Sequence, residues 1–166
     1  MDSDILEELY RKYYRSTVLY CLSLCGSETL AQDIASDAFV KAYLSLPNNV
    51  SSFPYWLMRV CKNLWIDYLR KHSRMTSDEP LQYLADQNTP ENRYLQDERS
   101  RCLWQILSEL PAFDREIIIL HYFSGLSQLE ISKILRKSYP AIRQRMIRTR
   151  HLLRSKMEEQ GYGYEL

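Results

Sequence analysis

Apolar residues in the first half of the chain recur at steps of three and four positions, the spacing that places side chains on one face of an α-helix. A stripe from Leu6 to Leu24 predicts a long amphipathic helix that ends near Gly26. Ser27 is placed to cap a second helix, and Pro47 ends it because proline disfavours helical geometry in the preceding residue. The apolar face of this second helix is expected at Leu30, Ile34, Ala38 and Ala42.

A third helix is expected from about Pro54, a residue tolerated in a first helical turn, to about Lys71. The polar segment 47–52 before it predicts a loop. Only one face of this helix can point to the core, and two neighbouring stripes compete for it. These are Trp56, Val60, Asn63 and Asp67, or Leu57, Cys61, Leu64 and Tyr68.

Periodicity is lost over residues 73–96, which gain Ser, Thr, Asn, Asp, Gln and two prolines and predict a linker. Helices resume at about Asp97, with Leu103, Ile106, Leu107 and Leu110 as the apolar face and Pro111 as the stop. A further helix is expected from Ala112 to Phe123, ending at Gly125.

Ser127 and Glu130 have the spacing of a capping box, and Leu126 with Ile131 that of a hydrophobic staple, so a short helix is expected over 128–136. Ser138 then caps a last helix, from Tyr139 to about Glu159. Its buried stripe is expected at Ile142, Met146, Thr149 and Leu153. Two helices joined by so tight a connection form a helix-turn-helix pattern.

Composition agrees with an all-α protein, because 166 residues with only 4 Gly and 6 Pro leave little room for a many-turned β architecture. We expect two small helical domains joined by a flexible linker. The expected bounds are 1–72 for the first domain, 73–96 for the linker, 97–160 for the second domain and 161–166 for a flexible tail.

The net charge of +1 conceals an uneven distribution. Residues 41–77 hold 6 basic side chains and 1 acidic one, and residues 131–157 hold 9 basic side chains and no acidic one. Acidic stretches precede both blocks. This alternation favours two separate surfaces that face a polyanion.

The last helix is basic on its outward face and apolar on the opposite face, which points to the core. A short helix followed by a longer basic one is the arrangement that inserts into the major groove of DNA, where Arg bridges guanine O6 and N7. The alternative to DNA binding is an ordinary basic face that is exposed to solvent and has no partner. The N-terminal residues of this helix are expected to meet the bases and the later arginines the phosphates. The expected DNA-binding residues are Arg143, Gln144, Ile147, Arg148 and Arg154 on the outward face, with Arg145 and Arg150 on its flanks.

The sequence contains no recognisable motif for catalysis or metal binding. Its Cys and His residues lack metal-ligand spacing, and neither a glycine-rich phosphate loop nor a nucleophile elbow appears. We expect no metal, no cofactor and no enzymatic activity. Cys21, Cys25, Cys61 and Cys102 are interpreted as reduced, buried thiols of a cytoplasmic protein that does not insert into a membrane.

The second half resembles the promoter-binding region 4 of bacterial sigma factors. The resemblance rests on Leu110-Pro111, Arg115-Glu116, Gly125-Leu126-Ser127, Glu130-Ile131, Ile134-Leu135, Ile142-Arg143, Arg145 and Arg148-Thr149-Arg150. The first half is similar to region 2 of the same proteins. The matching residues there are Ala31-Gln32-Asp33-Ile34, Asp37-Ala38-Phe39, Trp56-Leu57, Asn63-Leu64, Asp67 and Leu69-Arg70-Lys71.

With only a linker between these halves, the chain resembles the small extracytoplasmic-function class. That resemblance implies binding to core RNA polymerase through Asp33, Asp37 and Lys41, which lie on one stripe of the second helix, although a solvated face would show the same spacing. It also implies binding to promoter DNA, and restraint by an anti-sigma factor that is often membrane-bound. Strand opening is expected to involve the loop 48–52 and Tyr55, Trp56, Arg59, Lys62, Asn63, Asp67 and Arg70.

Some of these assignments compete with structural roles. At least one of Trp56 and Trp65 is expected in the core, and Asn63 or Asp67 could instead serve as capping or network residues. Family members usually have a glycine in the turn before Ser138, whereas this chain has Leu135-Arg136-Lys137. A non-glycine residue must then adopt left-handed geometry, or the turn must differ.

A stand-alone helix-turn-helix regulator with an N-terminal helical sensor or dimerisation domain is the alternative function. Such a protein would bind a palindromic duplex as a dimer without polymerase. The basic third helix argues against it, because a sensor domain has no need of one.

Overall fold

The computed structural model describes residues 3–45, 52–75, 94–95 and 97–163, and of residues 74 and 75 it describes the backbone alone. Every regular element in these ranges is helical. The elements are α1 (Ser3–Cys25), α2 (Glu28–Ser45), α3 (Phe53–Met75), α4 (Glu98–Ser108), α5 (Ala112–Ile118), a π-helical segment (Ile119–Phe123), α6 (Gln128–Leu135) and α7 (Tyr139–Glu159). The expected all-α fold class is confirmed. The chain divides into two compact units, residues 1–89 and 90–166.

The first unit is a bundle of α1, α2 and α3. α1 ends where expected, because Gly26 has a φ of 69°, a left-handed conformation that terminates a helix. Ser27 caps α2 by accepting a hydrogen bond from the Leu30 amide at 3.3 Å. In α2, Ile34, Ala38 and Ala42 are buried as predicted, whereas Leu30 is half-buried. Small alanines on this stripe allow α2 to approach its neighbours closely.

The structure decides which stripe of α3 faces the core. Leu57 and Cys61 are fully buried, whereas Asn63 and Asp67 of the competing stripe are exposed. Trp65 is buried and Trp56 is half-buried, so the expectation that one tryptophan lies in the core is confirmed. α3 also extends three residues into the segment predicted as linker, to Met75. The rest of that segment, apart from Tyr94 and Leu95, lies outside the described residues.

Three thiols lie together in the core of the first unit. A hydrogen bond to the Cys61 thiol, together with burial, raises the pKa of Cys21 well above its usual range. Burial raises the pKa of Cys25 to about 11. All four cysteines are free, but Cys102 is only half-buried, which corrects the expectation that every thiol is buried.

The second unit packs α4, α5 and α6 against α7. Asp97 caps α4 by accepting hydrogen bonds from the Ser100 amide at 2.8 Å and the Ser100 hydroxyl at 2.7 Å. The expected apolar face of α4 is buried, and Trp104, which the periodicity did not single out, is buried beside it. After α7, the Gly161 amide donates to the Glu158 carbonyl and the amide of half-buried Tyr162 donates to the Met157 carbonyl, each at 3.0 Å.

The helix expected from Ala112 to Phe123 is not uniform. Its last turn is π-helical, with the Ser124 amide bonding the Ile119 carbonyl five residues back at 3.2 Å. The Leu126 amide then bonds the Leu120 carbonyl at 3.0 Å, and Nδ1 of His121 lies 2.8 Å from the Leu126 carbonyl oxygen. These bonds tie the end of the π-helical segment to the start of the helix-turn-helix.

No helix in the described part of the chain combines the length and apolar character needed to cross a bilayer.

Candidate nucleic-acid interface

Each of the two helices in the helix-turn-helix begins at a side-chain cap. Ser127 accepts a hydrogen bond from the Glu130 amide at 3.2 Å and the Glu130 carboxylate accepts one from the Ser127 amide at 3.4 Å, which confirms the capping box. Ser138 caps α7 by accepting from the Ala141 amide at 3.3 Å. Both helix starts are therefore fixed, and Ser138 also fixes the end of the turn that precedes α7.

Arg136 resolves the question of the missing glycine. It adopts the left-handed conformation, with φ 53° and ψ 44°, at the C-terminal end of α6. Among the described residues other than glycine it is the sole one with a positive φ. The tight turn is therefore preserved at the cost of local backbone strain, which is about 1–2 kcal/mol for an L-residue in this region.

The predicted core stripe of α7 is buried in full, which fixes the face that the helix turns outward. Ile142, Met146, Thr149 and Leu153 are all buried. On the opposite face Arg143, Gln144, Ile147 and Arg148 are exposed within the first three turns of the helix. Two guanidinium groups, an amide and an aliphatic side chain are suited to guanine, adenine and the thymine methyl group respectively.

Arg145 occupies a different position from these four residues. Its Nη1 atom lies 3.3 Å from Oδ1 of Asp114, and its guanidinium lies over the Phe113 ring, 5.5 Å from the centroid. Both partners belong to the first turn of α5. The side chain predicted to bind DNA is thus drawn back against its own protein.

The two predicted phosphate contacts further along α7 are less open than the base-reading positions. Arg150 and Arg154 are half-buried, and Nε of Arg154 is buried without a hydrogen-bond partner. Lys156, in the last turn, pairs with Glu109 at 3.5 Å. The exposed cationic surface is therefore concentrated at the start of α7.

A groove of about 250 Å³ lies beside that start. It brings Lys137 and Phe113 together with the recognition residues, and sequence reasoning placed neither of them in the site. Phe113 gives no sequence signal, because its proximity to α7 depends on tertiary packing, whereas Lys137 could have been found as part of the basic block. The lining residues are Phe113, Lys137, Ala141, Gln144, Arg145 and Arg148.

A second polar and cationic stripe runs along α3. The Arg59 guanidinium lies over the Tyr55 ring, 5.5 Å from its centroid, and Asn63 further along the helix is exposed. Trp56 is half-buried and stacks on Phe53, with the ring centroids 6.0 Å apart. Trp56 thus packs against the core through Phe53, whereas the Tyr55 ring lies beside the Arg59 cation. An aromatic ring next to a cation is the combination that binds an unstacked base.

The remaining predicted residues of α3 extend this stripe. Lys62 is half-buried, and Asp67 is exposed and paired with Arg70 at 3.6 Å. That ion pair joins neighbours on one helix, so both side chains stay accessible to solvent. Of the loop expected to assist them, only Ser52 lies within the described residues.

The face of α2 that carries Asp33, Asp37 and Lys41 is exposed at all three positions. Val40, Tyr43 and Leu44 beside them are also exposed, at 55%, 61% and 74%. Sequence reasoning missed these apolar residues, although Val40 and Leu44 are four residues apart and off the buried stripe, which is the signal that could have found them. A mixed charged and apolar face is typical of a protein-binding surface.

Groups of three or more potential metal ligands are not found among the residues that the structure describes.

Comparisons with known proteins agree with this geometry. Two family models match the chain, Sigma-70 region 2 over residues 9–75 and Sigma-70, region 4 over residues 100–153. The ECF RNA polymerase sigma factor SigM of Bacillus subtilis is 30% identical over 152 residues, which cover 90% of this chain and 93% of SigM. SigW of the same organism is 29% identical, covering 95% of this chain and 91% of its own length.

Among solved structures, the chain is similar to the sigma factor RpoE of Bartonella quintana, determined in complex with the anti-sigma factor NepR. The TM-score is 0.55 at 22% sequence identity, over 92% of this chain and 98% of the other. At this identity the likeness supports the fold.

Proposed function

Because the chain belongs to the ECF class of sigma-70 factors, which bind core RNA polymerase and direct transcription initiation, we propose a division of promoter recognition between its two units. The second unit reads an upstream duplex element through α7. The first unit binds core polymerase through α2 and opens the start-site element along α3. Residues 73–96 connect the two, and the chain acts in the cytoplasm.

One observation carries the assignment for the second unit. Arg143, Gln144, Ile147 and Arg148 are exposed on one face of a helix whose opposite face is buried and whose start is capped. Side chains fixed in this way can read base edges in a major groove, while the later basic residues Arg150 and Arg154 contact phosphates. Sigma factors generally act by binding and are not enzymes, so the sites proposed here are binding sites.

The first unit supplies two surfaces of different chemistry. The exposed acids of α2 suit a basic partner helix, and the adjacent Val40 and Leu44 add apolar area to that contact. Along α3, Tyr55 and Arg59 offer a ring and a cation for an unstacked base, with Trp56, Lys62, Asn63, Asp67 and Arg70 beside them. We assign polymerase binding to α2 and strand opening to α3.

Restraint by an anti-sigma factor belongs to the same proposal. The RpoE of Bartonella quintana, which shares the fold, was determined with such a partner. An anti-sigma factor that covers the exposed faces of α2 and α7 would block both polymerase and DNA. Its presence in a cell would therefore silence the activity of this chain.

The test combines the purified chain with bacterial core RNA polymerase, and measures co-elution and initiation from a randomised promoter library. We expect a stable complex and transcripts that share two upstream motifs. The variant Arg143→Ala/Arg148→Ala should still co-elute with core polymerase, but its transcripts should lose the distal motif, which is the upstream duplex element that α7 reads. Lys133→Ala, an exposed basic residue of α6, is the matched control and should keep it.

Tight duplex binding by the chain alone, without polymerase binding or initiation, would overturn the proposal in favour of a stand-alone regulator.

A further inference from the structure

Arg145 lies on the recognition helix, yet its charge is balanced inside the protein. Nη1 of Arg145 is 3.3 Å from Oδ1 and 3.5 Å from Oδ2 of Asp114. The guanidinium also covers the Phe113 ring at 5.5 Å. A planar cation between a carboxylate and an aromatic face uses both recognition modes of arginine at once.

Burial shows which side of this ion pair is fixed. The Asp114 side chain is 13% exposed, whereas that of Arg145 is 47% exposed. Oδ1 of Asp114 is buried and accepts no hydrogen bond. A buried carboxylate without a counter-charge is costly, so removal of the arginine leaves Asp114 in an unfavourable state.

Asp114 is also an acid in an otherwise basic surface. It belongs to the first turn of α5, and its partner Arg145 lines the same groove as Lys137 and Arg148. An acid in this place weakens the attraction of the surface for phosphate groups. A structural role of Asp114 within the protein would offset this loss of attraction for DNA.

We propose that Arg145 is a positioning residue of the recognition helix rather than one of its DNA contacts. With Asp114 and Phe113 it clamps the first two turns of α7 to the start of α5. The clamp sets the direction in which Arg143, Gln144 and Arg148 project. Base readout by paired hydrogen bonds depends on such direction, so the clamp controls base selectivity without touching a base.

This inference rests on the proposed DNA recognition by α7, and a double-mutant cycle tests it. The variants are Asp114→Asn, Arg145→Ala and the two combined, each assembled as full chain with core polymerase. The probe is a fluorescent duplex that carries the upstream element selected from the promoter library, titrated at several KCl concentrations. Competitor duplexes with single base-pair changes measure selectivity.

The positioning role predicts that both single variants bind about five to ten times more weakly, and that the double variant is no weaker than Arg145→Ala alone. Selectivity against the changed duplexes falls, while the salt dependence is unchanged. Arg145→Lys keeps the charge and should restore part of the selectivity. Arg143→Ala removes a contact that the clamp directs, so it should lose a smaller factor in the Asp114→Asn background than in the parent. Lys133→Ala, an exposed basic residue of α6 outside the clamp, is the matched control and should have the same effect in both Asp114 backgrounds.

If Arg145 instead contacts a phosphate directly, the variants should change DNA affinity and its salt dependence differently. Asp114→Asn would then bind DNA as tightly as the parent or more tightly, because a negative charge has been removed. Arg145→Ala would lose affinity equally in both backgrounds, and the salt slope would fall by about 0.9. These results would overturn the inference.

Circular dichroism and thermal melting of each variant separate the effect on DNA binding from unfolding. If Arg145→Ala does not fold, the nearly isosteric variant Asp114→Asn still tests the inference. A parent complex that selects no upstream element from the library would contradict the proposed function itself. A parent that selects one, with additive variants, would contradict only the positioning role.

Discussion

At the scale of single residues, the structure gives the arginines of α7 different surroundings. Arg143, Arg145 and Arg148 all belong to one basic run, but only the first and the last project freely, because Arg145 pairs with Asp114. Asp114 lies 31 positions earlier in the chain, and no local pattern connects the two. Sequence reasoning could therefore find the basic face and place Arg145 at its flank, but it could not find the ion pair with Asp114.

Arg148 and Arg154 should differ in how they affect DNA binding. Arg148→Ala removes an exposed side chain at the base-reading face, so affinity should fall by about 1–3 kcal/mol and selectivity at one base pair should relax. Arg154→Ala removes a half-buried cation further along α7, so affinity should fall uniformly and the salt slope by about 1. Competition titrations of the polymerase complex distinguish these outcomes, and equal effects of both variants on all sequences would contradict the assignment.

Arg136 offers a direct measurement of the strain in the turn. In Arg136→Gly the left-handed conformation no longer carries the steric penalty of an L-residue, although glycine increases the entropy of the unfolded chain. The free energy of unfolding of the second unit should rise by about 0.5–1 kcal/mol, as measured by urea denaturation. Lys137→Gly is the control at the adjacent residue, which lacks a positive φ, and it should not stabilise.

At the scale of elements, local signals predicted the helices well wherever a cap or a breaker was present. Gly26, Ser127 and Ser138 each act at the position expected, because capping involves residues adjacent in sequence. Asp97, near which a helix was expected to begin, caps α4. The π-helical segment at Ile119–Phe123 was not foreseen, since a wider helical turn is set by packing. The core face of α3 stayed ambiguous because both of its stripes contain apolar residues.

α2 provides the prediction at this scale. Asp33→Lys combined with Asp37→Lys reverses the charge of its exposed face, so affinity for core polymerase should fall at least about tenfold, which is near 1.4 kcal/mol. Both residues are exposed, and helicity by circular dichroism should not change. Asp4→Lys with Glu8→Lys makes the same charge change on α1 and should leave polymerase affinity near that of the parent.

At the scale of the whole molecule, two compact units agree with the expectation of two helical domains. Composition and the two basic blocks could predict this organisation, because residues 41–77 belong to the first unit and residues 131–157 to the second. The partners of each surface required the family resemblance, since exposed acids on α2 have the same spacing as an ordinary solvated face. The family models place region 2 and region 4 on the two units in turn.

A truncation after Thr89, where the first unit ends, should separate the two functions. The fragment 1–89 keeps α2 and α3, so it should co-elute with core polymerase. Its transcripts from the promoter library should retain the start-site motif and lose the distal one, because α7 is absent. Recovery of the distal motif by this fragment would show that α7 does not read it.

The unequal burial of the four thiols has a practical consequence. Cys21, Cys25 and Cys61 are fully buried, whereas Cys102 on α4 is half-buried. Since a maleimide needs an accessible thiolate, the folded chain should accept about one label, and it should do so in the second unit. The native sequence thus carries its own attachment point for a fluorophore or spin label, which would report on α4 without any engineered cysteine.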